Sequence, residues 1–110
     1  MKTIFHIDDN VKWKLVVSNI KNLIKEYDNN NYQIIVLANS DAVKGYLFDD
    51  VVLEVVELSN NRQIKFKACN NALNKFNIDK TLLNNNIDIV SAGVYELTIR
   101  QQENYSYIKV

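Results

Sequence analysis

The chain has one cysteine, Cys69, and one histidine, His6, and that scarcity bounds the chemistry. A lone thiol makes no internal disulfide, and with a single imidazole it builds no Cys/His zinc site. Neither a metal nor an organic cofactor is implied. No Cys-x-x-Cys is present, which removes dithiol exchange within one chain. The two glycines, Gly45 and Gly93, make neither a G-x-G-x-x-G fingerprint nor a phosphate-binding loop. A Ser-His-Asp hydrolase would need His6 as its base, yet no nucleophile elbow surrounds any serine. What remains is Cys69, at the end of the strand-like Ile64–Ala68 and just before Asn70-Asn71. A helix start after a strand offers unpaired N–H groups and a positive dipole end, which favour thiolate over thiol. A thiolate there can attack a sulfane sulfur and carry it as a persulfide. Free cysteine is equally at home as a small buried hydrophobe, so nucleophile and packing residue both stand as readings. Lys65 and Lys67 add positive potential only if the strand brings them near.

The elements that would position this thiol follow from periodicity. Ile4–Ile7 is a short apolar run ending at Asp8-Asp9-Asn10, a cluster suited to capping a helix. Trp13, Val16, Val17, Ile20, Leu23, Ile24 and Tyr27 then recur at helical spacing, with Lys12, Lys14, Lys21 and Lys25 opposite. Ile34–Ala38 is a continuous apolar run, as in a central parallel strand covered on both faces. Asn39-Ser40-Asp41 caps a further helix carrying Val43, Tyr46 and Leu47. Another follows Asp49-Asp50, with Val52, Val55, Val56 and Ser59 on one face. Ile64, Phe66 and Ala68 alternate with Lys65 and Lys67 as in a half-covered strand. A short helix with Leu73 and Phe76 follows Cys69, and Asp79 starts another turn through Leu83. Ile87–Val90 is a strand, Ser91 opens a helix with Val94, Leu97 and Thr98, and Tyr105–Val110 is the last strand. Strand and helix alternate throughout, the pattern of a doubly wound α/β sheet with right-handed crossovers.

In such sheets ligands bind outside the carboxyl ends of the strands. The residues expected to converge there are Asp8, Asn39, Cys69-Asn70-Asn71 and Gly93, with His6 inside the first strand beside them. Asn39 and Asn71 either cap helices or donate hydrogen bonds to an anion or persulfide. His6 is either a proton shuttle at the rim or a hydrogen-bonded core residue. Trp13 either walls a pocket or packs, and Glu96 is a favourable charge near a helix start. Tyr95, Tyr105 and Tyr107 suit a subunit interface as well as a pocket.

The 110 residues are read as one domain spanning 1–110, with 47% hydrophobic and 24% charged residues. Thirteen basic and thirteen acidic residues cancel, so no electrostatic footprint for nucleic acid is present. Apolar runs reach no more than five or six residues, where a membrane span needs about twenty. Met1-Lys2-Thr3 leads straight into a strand without room for a signal peptide, so a cytoplasmic protein is expected. The 17 asparagines punctuate turns in place of the absent proline.

Several segments together carry a family resemblance. They are Phe5-His6-Ile7-Asp8 with Lys12-Trp13-Lys14, Val36-Leu37-Ala38-Asn39, and Ala68-Cys69-Asn70-Asn71-Ala72-Leu73. Ser91-Ala92-Gly93-Val94-Tyr95-Glu96-Leu97, Gln101-Gln102 and Tyr105-Ser106-Tyr107-Ile108 complete the set. With these, the chain resembles the DsrE-like family, in its branch of small single-domain proteins. The resemblance implies a three-layer α/β/α sandwich with a parallel five-stranded sheet, assembled as a homotrimer or homohexamer. It also implies a cysteine that receives sulfur from a donor protein and passes it to an acceptor, and Cys69 is the matching position. The family's turn after the second strand often contains glycine, where this chain has Ser40-Asp41. The competing class is a non-enzymatic oligomeric module that binds a small anion or metabolite while Cys69 only packs.

Overall fold

The computed structural model describes residues 1–110. Its strands are β1 (Lys2–Ile7), β2 (Gln33–Ala38), β3 (Ile64–Cys69), β4 (Ile87–Val90) and β5 (Ser106–Lys109), and its α-helices are α1 (Trp13–Glu26), α2 (Asp49–Ser59), α3 (Asn70–Lys75) and α4 (Gly93–Gln102). All strand pairs are parallel, in the order β4-β3-β2-β1-β5. This is the expected three-layer α/β/α sandwich with a five-stranded parallel sheet.

The strand order dictates where the helices go. From β1 to β4 the chain steps in one direction, and right-handed crossovers then put every connection on the same face. The return from the β4 edge to β5 runs the other way and needs the opposite face. Accordingly α1, α2 and α3 bury Val16, Ile20, Val55 and Leu73 against Phe5, Val36 and Phe66 in a 22-residue core. On the other face α4 is alone, with a five-residue cluster of Ile4, Ile35, Leu37, Leu97 and Tyr105. The connections leaving β3 and β4 therefore diverge to opposite faces, and Cys69 pairs with Val90 across that divide. This is the topological switch point at which α/β sheets hold ligands.

Several local expectations need correction. The Ser40–Leu47 segment is a 3₁₀ helix. Its three-residue turn keeps Val43 and Tyr46 inward and turns Leu47 out to 41% exposure. In α2 the side packed on the core carries Val51, Val55 and Leu58, with Val52, Val56 and Ser59 half-buried beside it. In α4 the buried residues are Gly93, Glu96 and Leu97, while Val94 and Thr98 face solvent. Ser91 is exposed and caps nothing; Ala92 is the N-cap. The Asp79 turn is 3₁₀, over Lys80–Leu82, with Asp79 accepting from the Thr81 N–H at 2.9 Å.

Trp13 packs in the core at 3% exposure, donates Nε1–H to the Ala42 carbonyl at 3.0 Å and tilts against Tyr46 with ring centroids 4.9 Å apart. A Cβ on Gly45 would sit 2.0 Å from Trp13 Nε1, so this glycine is required by the indole. The left-handed residues are Ser40, Asn77 and Asn104, two of them the asparagines that tolerate that region best. No helix is long and apolar enough to cross a membrane.

Candidate functional site

Cys69 is the last residue of β3 and is 6% exposed. Its neighbour on the next strand, Val90, leads through Ser91-Ala92 into α4, and the Gly93 N–H donates to Cys69 Sγ at 3.3 Å. The donor to the sulfur thus comes from α4, across the switch point, and not from α3 directly downstream. With ten residues α4 is the longer dipole, whereas α3 has only six. The sequence expectation placed the sulfur at the start of its own following helix. It missed that the crossover brings a second helix start over the strand end.

Gly93 is small for a reason visible in the packing. A Cβ there would approach Asn39 Cβ at 3.3 Å, Asn39 Nδ2 at 3.4 Å and Cys69 Cβ at 3.5 Å. Asn39 itself follows β2 and has no capping bond from its side chain. Instead its Oδ1 lies 2.8 Å from His6 Nε2, and His6 Nδ1 lies 2.7 Å from the Tyr107 hydroxyl. An amide oxygen only accepts, so Nε2 donates to Asn39 Oδ1, while Nδ1 shares a hydrogen bond with the Tyr107 hydroxyl, a group that can donate or accept. A hydrogen-bonded line therefore runs Tyr107–His6–Asn39 and ends beside Gly93, whose N–H reaches Cys69 Sγ. His6 is half-buried and satisfied at both nitrogens, the hydrogen-bonded reading of that residue.

The other expected rim residues make no hydrogen bond to the sulfur. Asp8 forms an ion pair with Lys109 at 2.9 Å, and that hydrogen bond holds its carboxyl below the usual aspartate range. Asn70 is half-buried and Asn71 exposed at the start of α3. Tyr105 is buried and donates to Gln33 Oε1 at 3.0 Å, while Tyr95 is 64% exposed. Trp13 also edges a cleft of ≈ 470 Å³ between α1 and α2, on the far face of the sheet from α4.

Sequence reasoning undervalued one cluster beneath α4. Lys67, on the same face of β3 as Cys69, donates to Glu96 Oε1 at 2.6 Å, and Arg100 Nε donates to the same oxygen at 2.7 Å. Glu96 is 8% exposed. Burial alone would raise its carboxyl, but the bonds from Arg100 and Lys67 outweigh that and hold it below the ordinary glutamate range. The same bond to Glu96 raises the Arg100 guanidinium. Glu96 is thus an anchor of α4 to β3, one turn after Gly93, and more than a charge at a dipole. The i,i+4 spacing of Glu96 and Arg100 and the period-two spacing of Lys67 and Cys69 were the available signals. Lys65 lies further down the strand and is exposed.

No group of acidic, histidine and cysteine side chains is placed to hold a metal ion. The arrangement at Cys69 is that of a thiol held by one backbone donor, beside an amide and an imidazole that relay hydrogen bonds to the surface.

No protein-family model matches the chain, and no curated protein does. Solved structures match it over almost its whole length. The ychN protein from E. coli is 13% identical, with 100% of each chain covered and a TM-score of 0.73. BT1422 from Bacteroides thetaiotaomicron, described as a conserved protein of unknown function, is 16% identical over 99% of this chain and 94% of its own, with a TM-score of 0.77. Both show the fold. The protein of unknown function MTH1491 from Methanobacterium thermoautotrophicum is 32% identical, covering 99% of this chain and 98% of its own with a TM-score of 0.88. At that identity and coverage the chain belongs to the same family as MTH1491.

Proposed function

We propose that the chain is a cytoplasmic sulfur carrier of the DsrE-like kind, with Cys69 as the residue that bears the persulfide. The observation that carries the reading is the Gly93 N–H on Cys69 Sγ at 3.3 Å, at the switch point of a parallel sheet. A backbone N–H at the start of a helix stabilises a thiolate with no side chain to titrate. The step balances without an external oxidant. The Cys69 thiolate attacks the outer sulfur of a donor hydropersulfide, R–S–SH. A bond forms from Sγ to that sulfur as the donor S–S bond breaks, and the electron pair leaves on the donor thiolate. The transferred sulfur keeps its proton, and an acceptor thiolate later removes it by the same exchange. Val94, Tyr95, Tyr107 and Ile108 leave apolar surface exposed on α4 and β5, which suits the homotrimer or homohexamer that the resemblance implies and a site for donor and acceptor proteins.

One observation favours a second reading. At 6% exposure Cys69 is as covered as a packing cysteine, and the rim would then serve only to bind a small anion or metabolite. Alkylation of the folded protein separates the two. The carrier reading requires Cys69 to react with a small electrophile under native conditions, and Cys69→Ser to fold yet transfer no sulfur. A thiol that reacts only after unfolding would leave the binding module.

A further inference from the structure

A second feature lies at the opposite end of the sheet from Cys69. On the α4 face, the N-terminal ends of β2, β3 and β4 border a cleft of ≈ 370 Å³. Arg62, from the turn before β3, lines it with Lys65, Lys67 and Arg100. Asp88 of β4, Gln33 of β2 and Tyr105 complete the polar wall. An adjoining cleft of ≈ 240 Å³ shares Arg62, Lys65 and Asp88.

The charges here are not all spoken for. Lys67 and Arg100 are engaged by Glu96, and Arg100 also by Glu103. Arg62, Lys65 and Asp88 enter no ion pair. Gln33 uses its Oε1 to accept from Tyr105, which leaves its amide N–H groups for a ligand. A volume of a few hundred Å³ with a small number of convergent polar groups is the usual scale of a small-molecule site, about 300–1,000 Å³.

We propose that this cleft binds the phosphate ester of a small molecule bearing hydroxyl or amino groups. The phosphate sits between Arg62 and Lys65. A guanidinium fork matches two phosphate oxygens, and the ammonium adds a point charge beside it. Asp88 and Gln33 receive and donate hydrogen bonds to the rest of the ligand. A polynucleotide does not fit the rest of the molecule: the chain's thirteen basic residues are balanced by thirteen acidic ones, where a nucleic-acid surface carries a basic excess. The assignment is independent of the chemistry at Cys69, so Cys69→Ser must bind the ligand as the native chain does.

Backbone amide NMR of the full chain, titrated with inorganic phosphate, ribose 5-phosphate and ribose, tests it. We expect saturable shifts centred on Gln33, Arg62, Lys65 and Asp88, ribose 5-phosphate binding more tightly than phosphate, and no binding of ribose. Arg62→Gln and Lys65→Gln are at exposed positions and should keep the native melting temperature. Each should weaken both phosphate probes about tenfold, the scale of one charge-assisted hydrogen bond. Asp88→Asn should narrow the gap between ribose 5-phosphate and phosphate. Shifts that do not saturate, shifts centred on the Cys69 rim, affinities unchanged in Arg62→Gln and Lys65→Gln, or tighter binding of a short oligonucleotide would each overturn the assignment.

Discussion

Ser40 carries a φ of 48° directly after Asn39, in the left-handed region where a Cβ is crowded. The 3₁₀ helix that follows needs this turn, and DsrE-like chains often place glycine there. Ser40→Gly should therefore keep the fold and raise stability by up to about 1 kcal/mol, the released strain being partly offset by the greater freedom of glycine when unfolded. A urea midpoint that falls in this variant would mean the turn is held by the serine side chain. Gly93 presents the opposite case. Its φ is unremarkable, but a methyl group would press on Asn39 Cβ at 3.3 Å, while its 3.5 Å approach to Cys69 Cβ is ordinary contact. Gly93→Ala should cost about 1 kcal/mol of stability as Asn39 gives way, and an unchanged urea midpoint would contradict the tight approach. The sequence marked Cys69, His6, Asn39 and Gly93 as rim residues, and the structure brings those four together. It could not show which helix would donate to the sulfur, because that depends on where a crossover lands. Nor could it show that Tyr107 orients His6, since the pairing spans 101 residues.

Helix α4 illustrates how an element can be legible in position and misread in facing. Its span was visible from Ser91-Ala92-Gly93 onward, but apolar Val94 pointed to the wrong side. The buried stripe contains a glutamate, and hydropathy alone assigns glutamate to solvent. With only a five-residue apolar cluster beneath it, α4 packs over β1 and β2 and is tied to β3 by the Glu96 bond to Lys67, while the Arg100 bond to the same oxygen lies within the helix. Glu96→Gln removes the charge while keeping the shape. It should cost about 1–3 kcal/mol near neutral pH, because Lys67 is left covered and unpaired while Arg100 stays partly solvated. The pH dependence has a definite sign. A carboxyl held low in the folded state stabilises above its unfolded value, here the ordinary 4.5, and that stability is lost as pH falls through the lower native value. The stability gap between native chain and Glu96→Gln should thus be full above the ordinary 4.5, narrow as pH falls below it, and close below the lower native value. A gap of constant size in urea melts across that range would mean the pair contributes nothing as a pair.

At the scale of the molecule, the alternation of strands and helices gave the layers and the parallel sheet, because each run needed a partner of a fixed kind. The strand order β4-β3-β2-β1-β5 was not readable, since apolar strands of similar length pair equally well in several orders. That order separates three helices from one and creates the divide at which Cys69 sits. It also leaves the β3–β4 part of the α4 face bare, which explains why Lys65 and Asp88 line a cleft there. The two ends of the sheet therefore carry different chemistry: a thiol with a backbone donor at the carboxyl end, and unpaired cations at the amino end.

The central claim is that Cys69 accepts sulfur, and the intact mass of the folded chain after incubation with a persulfide donor tests it most directly. The account predicts a gain of one sulfur atom that a reducing thiol removes and that Cys69→Ser never acquires. No gain in the native chain, with ready modification of Cys69 once the chain is unfolded, would show a packing cysteine and end the sulfur-carrier account.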